Sequence, residues 1–112
     1  MFDWNQKIKE VTVRLKEFAG YTPETMKGIA LLNGAGAKTN HLDAKTRELI
    51  ALSVAVTTRC DGCIAFHVAE AKKLGITKEE LSEALGVAIN LNAGAALVYS
   101  THVLDAMEQL GR

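Results

Sequence analysis

The chain has 112 residues, with thirteen basic and thirteen acidic side chains and a formal net charge of zero. That length fits one domain, residues 1–112, and is too short for two. No lysine or arginine run exceeds Lys72-Lys73, which excludes the concentrated basic face that nucleic acid or an acidic membrane requires.

Apolar residues make up 48% of the chain and aromatic residues only 5%. The apolar content is Ala, Val, Leu and Ile, which suits closely packed helices and exceeds what one small core can hide. Other subunits are therefore expected to cover part of the surface. From Trp4 to Phe18 the residues Ile8, Val11, Leu15 and Phe18 recur every three or four positions, and Gly20 is expected to end this first helix. Thr22-Pro23-Glu24 supplies an N-cap, a proline at the first helical position and an early acid. The second helix runs to about Asn33 and gives way to a loop at Gly34-Ala35-Gly36. Asp43 caps a third helix, Ala44 to about Thr57, whose later part is apolar all round, as in a helix buried on every side. A turn at Thr57-Thr58-Arg59 leads into a fourth helix, from about Cys60 to Leu74, closed by Gly75. Thr77-x-x-Glu80 is a capping box opening a fifth helix toward Asn90-Leu91-Asn92. A final helix, Ala93 to Leu110, completes an all-α, single-domain bundle of about six helices.

The longest apolar region, residues 85–99, is interrupted by Asn90 and Asn92, and its roughly 15 residues fall short of the ~20 that span a bilayer. The first five residues lack the basic-then-apolar pattern of a secretory signal. A soluble, cytoplasmic protein is expected. In that reducing compartment two cysteines three positions apart are more often catalytic or metal-binding than a structural staple.

The informative stretch is Glu48-(11 residues)-Cys60-Asp61-Gly62-Cys63-(3 residues)-His67. Residues three and four apart are neighbours on a helix, so Cys60, Cys63 and His67 share one stripe. A dithiol at this spacing closes to a disulfide with little movement. Cys60 sits at the helix start, where unpaired N–H groups and the dipole favour a thiolate. His67 can act as a base toward Cys63, directly or through one water. If the third and fourth helices are antiparallel about Thr58, Glu48 lies ten residues before the turn and His67 nine after. At ~1.5 Å per residue both stand roughly 14 Å from it. A carboxylate on an otherwise apolar helix needs a partner, and His67 is in reach.

The pattern Glu-x11-Cys-x2-Cys-x3-His resembles the core motif of the carboxymuconolactone decarboxylase-like superfamily, on its alkylhydroperoxidase D side. Leu42-Asp43 and Arg47-Glu48-Leu49 before it, Ala69 to Gly75 after it, and Thr77-Lys78-Glu79-Glu80 resemble the family too. The resemblance covers residues 42–91 well, the last helix loosely, and the first forty residues little. It implies an all-α bundle assembling into trimers or hexamers, with Glu48, Cys60, Cys63 and His67 as proton-relay and redox residues. The implied activity is thiol-dependent reduction of a hydroperoxide substrate by a peroxiredoxin-like antioxidant enzyme. The Cys60–Cys63 disulfide is then re-reduced by an external dithiol reductant or carrier protein, with no cofactor and no metal. One position departs: some peroxidatic members carry a histidine just before the second cysteine, where this chain has Gly62, which leaves a general disulfide reductase open. The true decarboxylases do not use a cysteine pair.

Other readings of the same residues stay open. The cysteines could be buried small hydrophobes, or, with His67 and either His41 or His102, ligands of a zinc ion in a non-catalytic, redox-sensing or metal-binding oligomer. An enzyme acting on a ring lactone is a third class. His41 and His102 default to structural roles, Trp4 and Phe2 to packing anchors, and Asn90 and Asn92 to backbone or subunit contacts. Residues 34–39 lack the spacing and preceding strand of a phosphate loop.

Overall fold

A computed structural model describes residues 2–111, and all the regular structure in them is helical. The order is α1 (Trp4–Tyr21), α2 (Pro23–Thr39), α3 (Ala44–Thr57), α4 (Asp61–Lys73), α5 (Lys78–Tyr99) and α6 (Thr101–Gln109). Ser100 between the last two keeps right-handed helical dihedrals (φ −59°, ψ −24°). The chain from Lys78 to Gln109 is thus one 32-residue rod, and the described residues form five rods in all.

Side chains cap the starts of three helices, at Asp43 and Thr77 as the sequence suggests and at Asp3 in addition. Asp3 accepts the Gln6 N–H and Asp43 the Thr46 N–H, at 3.1 and 2.8 Å. Thr77 and Glu80 close both halves of the capping box, at 2.9 and 3.1 Å. Thr22 differs from expectation: its hydroxyl donates backward to the Phe18 carbonyl at 2.9 Å and closes α1, so α2 begins on Pro23 without a side-chain cap.

Those hydrogen bonds hold the Asp43 and Glu80 carboxyls below their ordinary range. At Asp43 the Thr46 side chain and N–H act first, with Lys45 and Arg47 adding to them. At Glu80 the Thr77 N–H leads, followed by the Thr77 hydroxyl and Lys45. A lowered native pKa contributes stability that is fully present above the ordinary carboxylate value and is lost as pH falls through the lowered one. Acid unfolding followed by far-ultraviolet circular dichroism will therefore be less steep in the Asp43→Asn/Glu80→Gln double variant than in the parent over that acidic window. Parallel titrations would contradict the capping argument.

Three boundaries depart from the sequence reading. Gly20 does not stop α1, which runs to Tyr21. Gly34-Ala35-Gly36 is helix rather than loop, because α2 continues to Thr39 and ends on Asn40 in the left-handed region (φ 52°). Gly36 has a packing reason: a Cβ there would stand 2.8 Å from Arg47 Cδ. Arg47 crosses it to donate to Asn40 Oδ1 at 3.1 Å and to the Leu42 carbonyl, tying the α2–α3 loop to α3. The fifth helix does not end at Asn90-Asn92 either. Asn92 turns its amide onto the Ala88 carbonyl at 2.7 Å and stays in the helix.

The core is small. α3 packs on α4 and α5, and α1 packs on α4 and α2. Only Leu52, Ala55, Ala65 and Ala71 among the described apolar residues are buried. The expectation that α3 is buried on every side fails, since Ile50 and Val54 are about half exposed in the groove between α3 and α5. Ser53 and a Lys45–Glu80 ion pair at 3.6 Å hold α5 to α3 near its start. Beyond that region the rod has no cover, and Leu97, Val98, Val103, Leu104 and Met107 are all exposed. The radius of gyration is 18.5 Å, against about 13 Å for a compact chain of this length. The accessible surface is 9035 Å², against roughly 6000 Å² for a compact monomer of this mass. The rod is long enough to cross a membrane, and its most apolar 18-residue stretch has a mean hydropathy of 1.4. This corrects the apolar length read from the sequence, because the two asparagines do not break the helix.

Candidate functional site

The site is built at the turn between α3 and α4. The Arg59 N–H donates to the Val56 carbonyl at 3.2 Å and the Cys60 N–H to the Ala55 carbonyl at 3.0 Å. These two bonds form a Schellman motif closing α3, with Arg59 in the left-handed position (φ 53°). Cys60 is also the N-cap of α4, and its Sγ accepts the Cys63 N–H at 3.2 Å. One residue therefore ends one helix with its backbone and begins the next with its sulfur. The helix starts at Asp61, one position later than the sequence suggests. The end of α4 repeats the closure with Gly75 (φ 73°) in the left-handed position, its N–H on Lys72 and the Ile76 N–H on Ala71. Glycine adopts that conformation freely, whereas a side chain with a Cβ costs about 1–2 kcal/mol there.

Cys60 and Cys63 are joined by a disulfide with Cα atoms 5.2 Å apart, inside the range such a bridge requires. Cys63 is exposed and Cys60 is half-buried. A position at the helix start thus favours a thiolate at Cys60 without making it the more accessible of the two. The reason is local: the Cys60 backbone is folded under the end of α3, while Cys63 lies on the open face of the first turn.

His67 follows Cys63 by one turn. Its Nδ1 lies 2.7 Å from Glu48 Oε2 across the α3–α4 hairpin, so the equal heights read from the sequence bring the two side chains into contact. The Glu48 side chain is 17% exposed and that of His67 39%; the carboxylate is held inside and the imidazole reaches outward. An ionised Glu48 accepts a proton-bearing Nδ1, which leaves Nε2 as the nitrogen available for proton transfer. Glu48 is the partner of His67, while Arg47 and Lys45 bond elsewhere.

Both cysteines, His67 and Glu48 line one cleft of about 720 Å³, together with Val11, Leu15, Asn33, Gly62, Phe66 and Glu70. Sequence reasoning missed these last residues as site residues. Phe66 and Glu70 carried a signal, since they stand three and seven positions after Cys63 on the same helical stripe. Val11 and Leu15 stood out only as a periodic apolar face, and nothing in the sequence marks Asn33. At Gly62 a Cβ would meet Val11 Cγ1 at 3.4 Å, an ordinary contact, so α1 lies over this position. Among the described residues no three His, Cys, Asp or Glu side chains are arranged to hold a metal ion. His41 lies in the α2–α3 loop, and His102 on α6 stacks on Tyr99 with ring centroids 4.4 Å apart. Neither lines the cleft. Phe2 and Trp4 pack edge-to-face at 5.2 Å beside Lys7, at the surface and not in the core.

Fold and site together define an all-helical protein that carries a bridged Cys-x2-Cys pair beside an ion-paired histidine. The sequence profile of the Carboxymuconolactone decarboxylase family matches residues 23–106, and the chain belongs to that family. It is 47% identical over 104 residues to an uncharacterised protein of Haemophilus influenzae, covering 93% of this chain and 92% of that one. It is 39% identical over 69 residues to uncharacterised protein 4 in the cox locus of Paracoccus denitrificans, 62% of each chain. The apo crystal structure of a carboxymuconolactone decarboxylase family protein from Legionella pneumophila is similar at 39% identity, with a TM-score of 0.73 over 97% of both chains. The match takes in α1 and the rod, well beyond the segment on which the sequence resemblance rests.

Proposed function

We propose that the protein is a thiol-dependent peroxidase and disulfide oxidoreductase of the alkylhydroperoxidase D kind, serving antioxidant defence through a Cys60–Cys63 dithiol–disulfide cycle. The observation that supports this best is the bridged pair in the same cleft as a histidine whose Nδ1 is held by Glu48 at 2.7 Å. The Cys63 thiolate attacks the distal oxygen of a hydroperoxide, giving the sulfenic acid and an alkoxide that takes a proton from His67. The Cys60 thiol then displaces water from that sulfur and closes the bridge. In the reductive half one thiolate of an external dithiol attacks the sulfur of Cys63, the more exposed residue of the pair, and the electron pair of the broken bond goes to Cys60; the reductant's second thiol then displaces Cys63 and closes the reductant's own disulfide. The resulting thiolate lies at the N-terminus of α4, where the Cys63 N–H already points at it.

The reductant in this reading is a dithiol compound or carrier protein, the locale is the cytoplasm, and the working form is a homo-oligomer, a trimer or hexamer, that covers the rod. The test is a thiol count on reduced protein before and after one equivalent of hydroperoxide. Both thiols disappear and a dithiol restores them; persistence of both would defeat the peroxidase reading. In His67→Ala the rate of thiol loss falls by about 100-fold, the lower end of what a positioned proton-transfer group contributes. A rate equal to the parent's would remove His67 from the mechanism. A second reading, disulfide exchange without peroxide chemistry, draws on Gly62 and the Val11 that covers it. It is favoured if peroxide leaves the thiols intact while a small disulfide oxidises them.

A further inference from the structure

We infer that Arg59 is a recognition cation for the attacking thiolate and for acidic groups of the reductant, an inference that rests on the dithiol cycle proposed above. The same Schellman closure occurs twice in this chain, with glycine at Gly75 and arginine at Arg59 in the left-handed position. The conformation asks for glycine in both places, and only the copy adjoining the disulfide carries a long cationic side chain at the expense of strain. Arg59 is exposed, and among the described residues its side chain makes no hydrogen bond, ion pair or ring contact. It therefore contributes nothing to the fold that a glycine would not.

The charges around it sharpen the point. Of the acids at the site, Glu48 pairs with His67 and Glu70 with Lys73 at 3.8 Å, while exposed Asp61, directly after Cys60 at the start of α4, makes no ion pair among the described residues. A thiolate approaching the pair therefore meets the open charge of Asp61, and Arg59, which directly precedes Cys60 and stands just outside the residues lining the cleft, is the cation beside it in the chain. Disulfide reduction begins with an anion: the reductant's sulfur bonds to Cys63 Sγ, the Cys60–Cys63 bond breaks, and Cys60 leaves as a second anion. A guanidinium one residue from Cys60 favours both the approach and the departure, and it adds attraction for carboxylates on the same reductant.

The experiment measures second-order reduction of the preformed disulfide by neutral dithiothreitol and by dianionic dimercaptosuccinate, in the parent, Arg59→Gly and Arg59→Lys. In Arg59→Gly the dimercaptosuccinate rate falls about tenfold and the dithiothreitol rate clearly less, while the melting temperature rises as the strain is released. Arg59→Lys keeps most of the dimercaptosuccinate rate. Raising the salt removes the parent's advantage over Arg59→Gly. An unchanged ratio of the two rates in Arg59→Gly, or a loss that persists at high salt, overturns the inference. Exchange is read without peroxide, so parent protein that exchanges but ignores peroxide defeats only the peroxidase reading. Parent protein that neither exchanges nor reacts with peroxide defeats the dithiol cycle itself.

Discussion

Cys63→Ser will neither form a sulfenic acid nor turn over hydroperoxide, whereas Cys60→Ser will consume one equivalent and stop. The asymmetry follows from the exposed position of Cys63 on the first turn of α4, one turn before His67, and the half-buried position of Cys60 under the end of α3. With serine at position 63 the remaining thiol is folded away from the open face. With serine at position 60, Cys63 still meets the peroxide, but no neighbouring thiol can displace water from its sulfenic acid, and catalysis ends after one event. A sulfenic-acid trap followed by stopped-flow mass analysis separates the two. Sulfenic acid appearing in Cys63→Ser at the parental rate would transfer the first attack to Cys60.

Leu104→Asp will convert an oligomer of the 12.1 kDa chain into single chains and lower its melting temperature. Leu97, Leu104 and Met107 recur along the rod at spacings that return to one face, and each is more than 70% exposed in the isolated chain. The excess of surface over a compact monomer is roughly 3000 Å², within the range of obligate interfaces. A carboxylate at the centre of such an interface loses its hydration without gaining a partner. Light scattering on the eluting species reads the result. A parent that is already monomeric, or a variant with the parental mass, would leave the rod's apolar face without this explanation.

The most legible part of the chain was the part governed by short-range rules. Asp43 and the Thr77–Glu80 box act through side chains reaching three residues ahead, and the third helix has the bounds its pattern suggested. The Glu48–His67 contact was also readable, because a hairpin of two helices turns sequence distance into height. Termination was read less well. Gly20 lies one residue short of the observed end of α1, while Gly34 and Asn90 suggest stops where the helix continues: Asn92 bonds within its own turn, and Gly36 admits Arg47. The cleft wall from α1 and Asn33 of α2 was invisible for a different reason. It depends on how separate helices pack, which no local pattern encodes.

The double duty of Cys60 bears on the speed of the chemistry. Two thiols on a mobile loop would have to find each other in every cycle, and each closure would cost the entropy of that search. Here the search is finished when the chain folds, because the backbone on both sides of Cys60 is bonded into helix ends. In the proposed cycle the second thiol then acts as a reactant at very high local concentration.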